Sequence, residues 1–218
     1  MHSFYLFWGI SAVVLLVLAA LVGYRARFES LDKPTIWGIL IDVRERFSLN
    51  RFQLVMWTLL ILSTFLGLLV YNLGSDPGIA LSIPGELLGL LGISIGSTTV
   101  AGAVKDYKDT TRPEKIAGGK NYIKRTKVAA WARAKSVSLT PQSPSFSQVF
   151  MEEEGSQGNN RTVSISKFQN FVFTLALGII YVVLTVKAKG YPDLDEKVLW
   201  LIGISYSGYV GGKLPNKD

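Results

Sequence analysis

Five uncharged apolar blocks interrupt this chain, and they leave few folds open. They cover residues 4–23, 52–75, 87–104, 168–186 and 198–212 and hold 20, 24, 18, 19 and 15 residues. A helix needs about 20 apolar residues to cross the hydrocarbon of a bilayer. Inside lipid every backbone amide must find its partner within the protein, so only helices and closed barrels span it. Uninterrupted blocks of this length read as helices, since strands run shorter and alternate. The expected fold class is all-α: an integral membrane protein with five transmembrane helices. The fifth block is short. It crosses if Lys197 and Lys213 extend their ammonium groups to the two interfaces, or if the bilayer thins.

The basic residues set an orientation. Segments 24–51, 105–167 and 213–218 carry twenty of the 23 Lys and Arg residues, and segment 187–197 carries the other three. Positive charge stays on the cytoplasmic side, so the heavy side is cytoplasmic. Five spans then give an external N-terminus and a cytoplasmic C-terminus. The first block fits this. No Lys or Arg precedes it, while Arg25 and Arg27 follow it. That is the order of an uncleaved anchor and the reverse of a signal peptide. The net charge of +7 thus reports topology and contact with anionic headgroups.

One phrase is written twice. FSLNRFQLVMWTL at 47–59 returns as VSISKFQNFVFTL at 163–175. The likeness runs on into the following block, where LGLLGIS at 88–94 pairs with LWLIGIS at 199–205. Upstream, Pro34-Thr35-Ile36 pairs with Pro144-Ser145-Phe146. The organisation that follows is an N-terminal transmembrane anchor at 1–33, a first transmembrane hairpin repeat at 34–105, a basic cytoplasmic linker at 106–143, and a second hairpin repeat with the tail at 144–218. Both copies run in one direction, so an axis along the membrane normal is expected to relate them.

The repeated phrase has a physical task. In Asn50-x-x-Gln53 and Ser166-x-x-Gln169 a small polar residue stands three before a glutamine, the pattern of a capping box. These four residues are expected to cap membrane helices at the cytoplasmic face. The returning blocks carry small residues four apart. Gly92, Ser94, Gly96 and Thr98 lie on one, and Gly203, Ser205, Ser207 and Gly211 on the other. Small residues let helix backbones approach in lipid, where no hydrophobic force draws helices together. They are candidates for packing between the repeats or between subunits; a pore lined by their hydroxyls is the other reading.

Several chemistries find no residues here. The chain has no cysteine, and its single histidine is His2. None of the five blocks contains Asp, Glu, Lys, Arg or His, whereas pumps and ion-coupled transporters keep such groups in the membrane. No catalytic site, metal site or cofactor is expected. The largest segment between blocks has KNYIKRTKVAAWARAK at 120–135. Lys120, Lys124, Arg125, Lys127, Trp131, Arg133 and Lys135 suit a surface helix on anionic lipid, with Trp131 among the headgroups; a solvated basic linker is the plainer reading. The cytoplasmic leaflet accounts for this charge without nucleic acid.

The words SLNRFQ, Trp57 and Leu-Gly-Ile-Ser are similar to a loose set of uncharacterised bacterial inner-membrane proteins with SLSR-x-Q before one span and Leu-Gly-Ile-Ser in the next. The chain departs from that pattern at Asn50, Ser166 and Lys167. The resemblance implies an inner-membrane location and no activity. The expected function is a non-enzymatic membrane scaffold or accessory subunit that presents basic cytoplasmic loops to lipid or to a protein partner. A homo-oligomer is one form of this. The alternative is an oligomeric channel lined by the Gly/Ser/Thr faces of the third and fifth helices.

Overall fold

The structure is a computed structural model and describes residues 3–26, 34–42, 46–73, 83–111, 134–135, 144–151 and 163–211. Among the described residues the five long elements, all α-helices, are α1 (Ser3–Arg25), α2 (Leu49–Leu73), α3 (Gly85–Thr111), α4 (Ile165–Ala188) and α5 (Glu196–Gly211). Short 3-10 helices stand at Ile36–Leu40 and Phe146–Val149. Four helices are long and apolar enough to cross a membrane: Phe4–Arg25, Leu49–Leu73, Gly85–Lys108 and Ile165–Ala188. α5 has 16 residues and rises about 24 Å, less than the ~30 Å of hydrocarbon. The expected fifth crossing is therefore shorter than a span requires.

The lead-in segments of α2 and α4 are built alike. A 3-10 helix follows an extended Thr35 or Ser145. An isolated antiparallel bridge comes next, Ile41 with Phe47 and Met151 with Val163. Ser48 and Ser164 then precede α2 and α4, and their carbonyls accept from Phe52 and Phe168 amides at 3.0 Å. The remaining helix ends follow ordinary rules. α3 has Glu86 in its first turn and Lys108 in its last, each suited to the helix dipole. Asp195 Oδ1 accepts the Lys197 amide at 2.8 Å and caps α5. α3 also continues past Lys105 to Thr111, so its last turns belong to a helix where the sequence reads a loop.

Packing arranges the helices in two pairs. α2 lies against α3 and α4, and α5 lies against the same two helices. α1 packs on α2 and on the first 3-10 helix. α2 and α4 are parallel: Gln53 meets Thr174, and further along Thr64 meets Tyr181. A central two-fold axis along the membrane normal would set equivalent helices at opposite corners, where both pairs could not touch. Here α2 adjoins α4 and α3 adjoins α5. The two hairpins stand side by side, with like helices in contact.

The centre of this unit is Trp57, Ile61, Leu87, Leu90, Leu177, Tyr181, Leu194 and Tyr206. The outward surface is apolar, with Leu6, Val13, Val17, Ile95, Ile179 and Ile204 all exposed, as suits helices solvated by lipid.

Candidate functional site: a polar interior

A line of polar side chains runs through the middle of the four packed helices. Asn50, Gln53 and Trp57 share one face of α2, spaced three and four apart, and are 3%, 0% and 1% exposed. Asn50 Nδ2 donates to the Ser97 carbonyl of α3 at 3.2 Å. Gln53 Nε2 donates to Thr174 Oγ1 of α4 at 2.6 Å. Ser94 of α3 and the Tyr206 hydroxyl of α5 share a hydrogen bond at 3.4 Å. Further along, the Tyr181 hydroxyl donates to Thr64 Oγ1 at 3.0 Å. Together these bonds tie α2 to α3, α2 to α4 and α3 to α5.

The surroundings fix both amides. The Thr174 hydroxyl gives its proton to the Asn170 carbonyl at 2.7 Å, so it can only accept from Gln53. The Ser97 carbonyl can only accept from Asn50. Oδ1 of Asn50 and Oε1 of Gln53 therefore face elsewhere, and neither has a hydrogen-bond partner. The Trp57 indole N–H is unpartnered too. The Tyr206 hydroxyl lies beside that indole without reaching hydrogen-bond geometry. Leaving a buried polar group unpaired costs about 1–3 kcal/mol. Three such groups cost on the order of 3–9 kcal/mol, against a whole stability of about 5–15 kcal/mol. In the linker between α4 and α5, burial pushes the Tyr191 hydroxyl up to about 12, with the neighbouring Tyr181 adding to the shift. It stays neutral at physiological pH.

The cytoplasmic end of the interior is closed by charge and aromatic packing. Lys105 Nζ donates to Asp42 Oδ2 at 2.6 Å in a buried ion pair, joining the first lead-in segment to α3. Lys167 Nζ donates to the Met151 carbonyl at 2.7 Å, and Arg51 Nη1 to the Ile41 carbonyl at 2.8 Å. Gln148 Oε1 accepts two amides: Ser145 at 3.1 Å in its own segment and Phe47 at 3.3 Å in the other. The rings of Phe47, Phe52, Phe146, Phe150 and Phe171 pack with centroids 4.9–6.2 Å apart. These contacts join the two lead-in segments to each other.

The expected site residues divide. Asn50 and Gln53 are not caps: α2 begins at Leu49, and both amides reach across to other helices. Their counterparts Ser166 and Gln169 are exposed on α4, where Ser164 holds the cap position. Ser94 faces the interior, and half-buried Thr98 returns its hydroxyl to the Ser94 carbonyl at 2.8 Å. Exposed Ser207 bonds the Ile204 carbonyl at 2.9 Å. The side-chain surroundings of Ser205 and Gly211 lie outside the described residues, as do Lys120, Lys124, Arg125, Lys127, Trp131 and Arg133. Lys135 is exposed in a turn.

The glycine expectation changes most. A Cβ at Gly92, Gly96 or Gly203 would meet nothing within 4 Å, so these residues make no helix seam among the described residues. The close approaches lie elsewhere, at Gly23 against Gly38, Gly67 against Trp8, and Gly178 against Met56. Gly92→Leu is accordingly expected to leave the unfolding midpoint in mixed micelles nearly unchanged, within about 0.5 kcal/mol. A large loss there would mean that this face is covered. Thr174, Tyr181, Tyr206, Gln148 and the Asp42–Lys105 pair do not stand out in the sequence. One signal was available: polar residues four apart inside an apolar block, as at 170 and 174 and again at 181 and 185.

No protein-family model, curated protein or solved structure matches the chain.

Proposed function

We propose that this chain is a non-enzymatic scaffold or accessory subunit of a bacterial inner membrane, with its N-terminus outside and its C-terminus in the cytoplasm. The observation that carries the reading is the joined pair of lead-in segments. Gln148 accepts the Phe47 amide, the phenyl rings pack across both segments, and Asp42 with Lys105 fixes the first segment to α3. A rigid platform at one membrane surface suits a protein that presents loops to lipid or to another protein. The matching lead-ins, each a 3-10 helix, a bridge and a serine before the span, support two tandem hairpin repeats. α5 then serves as the fifth crossing, with the bilayer thinned around it. Contact with lipid is supported by an apolar cleft of about 350 Å³ between α1, the first 3-10 helix and α2, lined by Leu16, Trp37, Phe52 and Met56 among others.

A channel between copies is the second reading, and the outward Gly92 and Gly96 face favours it. Within one chain the interior is filled by Trp57, Tyr181 and Tyr206. Proteoliposomes of the purified chain decide between the two. A scaffold passes no ions, and deletion of 106–143 abolishes its binding to anionic vesicles or to a cross-linked partner. Ion flux that Gly96→Leu blocks overturns the scaffold in favour of the pore.

A further inference from the structure

We propose that the cleft between α1, the first 3-10 helix and α2 holds one acyl chain of an anionic phospholipid, whose phosphate is bound by Arg51. The cleft has a volume of about 350 Å³ and apolar walls, among them Leu16 and Ala20 of α1, Trp37 and Leu40 of the 3-10 helix, and Val55 and Leu59 of α2. Such walls offer water no hydrogen bonds, and an apolar cavity takes an apolar guest. A partner's helix, about 10–12 Å across, would lie over the cleft without entering it. The walls close on each other where the backbones of Gly23 and Gly38 come together.

Depth and charge select the occupant. Residues 52–59 lie roughly 5–15 Å from the start of α2 at Leu49. Residues 16–20 lie roughly 8–14 Å from the end of α1 at Arg25. Both walls therefore stand at the level of the acyl chains of one leaflet, half of the ~30 Å of hydrocarbon. Arg51 is one turn below Val55 on the same face of α2. Its Nη1 donates to the carbonyl of Ile41, the residue after Leu40, at 2.8 Å. That bond holds the guanidinium beside the cleft and uses one of its five N–H donors. The rest of the fork suits phosphate oxygens. Arg25 adds a second positive charge in the last turn of α1. A zwitterionic headgroup would bring a cation of its own to the same place, so an anionic one is favoured. This site rests on the reading of the chain as a membrane protein with this face towards the cytoplasmic leaflet.

Photolabelling of the full chain tests it. Delipidated protein in dodecyl maltoside receives one equivalent of phosphatidylglycerol with a diazirine midway along one acyl chain, and mass spectrometry maps the label. Label on 16–20, 36–40 and 52–59 is expected to exceed that at Ile179 and Ile204 on the order of tenfold, although those two are 64% and 67% exposed. Phosphatidylcholine with the same chain is expected to label the cleft about five- to tenfold less. Arg51→Gln should erase this preference and Arg51→Lys should keep it. Ala20→Phe, which fills the cleft from α1, should abolish the label. Label spread evenly over the outward faces overturns the proposal. Equal labelling by the two lipids overturns it too, as does a preference that survives Arg51→Gln. Should Ala20→Phe fail to fold, the native pattern and Arg51→Gln decide. The scaffold reading is tested separately, by vesicle binding with and without 106–143, and that binding survives an unlabelled cleft.

Discussion

Asp42→Asn will cost the protein about 3–5 kcal/mol, the scale of breaking a buried ion pair by removing one charge. The substitution keeps an oxygen for the Arg46 amide, which Asp42 Oδ1 accepts at 3.2 Å. What it removes is the counter-charge of Lys105, whose ammonium lies 2.6 Å away with both side chains about nine-tenths buried. The lysine sits on the last turns of α3 and the aspartate in the first lead-in segment, so the same change loosens the platform from the bundle. Unfolding in mixed micelles measures the loss. Lys105→Met alone should also be harmful, since it takes the ammonium away from the buried carboxylate. The double variant Asp42→Asn/Lys105→Met should lose less than the sum of the two single losses, because both changes break the same ion pair. Equal and additive losses would show that the two residues act separately.

Gly23→Val should be the most damaging of the glycine substitutions. A Cβ at Gly23 would collide with the Ile36 carbonyl oxygen and lie 3.0 Å from the Ile36 carbonyl carbon. Gly38 stands in the reciprocal position, its Cβ directed at the Gly23 carbonyl. Both obstacles are backbone, which cannot swing aside as a side-chain end can. Overpacking of this kind costs about 1–3 kcal/mol or more, and here it separates α1 from the first 3-10 helix. The measurement is the same micelle unfolding, together with Trp37 fluorescence, which reports the 3-10 helix leaving α1. Gly38→Val should give the same phenotype, and the pair together little more than either alone, since one displacement relieves both. An unchanged midpoint in Gly23→Val would refute this seam.

Much of the architecture was legible from the apolar blocks, because lipid permits so few backbone solutions. The starts of α2 and α4 were legible too, since Ser48 and Ser164 do precede membrane helices. The rotation of each helix about its own axis was not. Gln53 and Gln169 occupy the same word, yet Gln53 is fully buried and Gln169 is exposed. The buried positions include 50, 53, 57, 61 and 64 in α2 and 167, 170, 174, 178 and 181 in α4. They share one spacing, and that spacing is one residue out of register with the word match. One residue turns a helix by about 100°, enough to move a side chain from the interior to lipid. Only the packing against α3 and α5 makes that choice. The glycine faces failed for the same reason. A stripe of small residues permits close approach without requiring it, and the seams formed where backbone met backbone at Gly23, Gly38 and Gly67. Tyr206 was hidden because a tyrosine in an apolar run counts as apolar until its hydroxyl finds Ser94.

The first helix, α1, binds both hairpins: it packs along α2, and its Tyr5 hydroxyl donates to the Val186 carbonyl of α4 at 3.0 Å, so α1 fastens the two hairpins to each other.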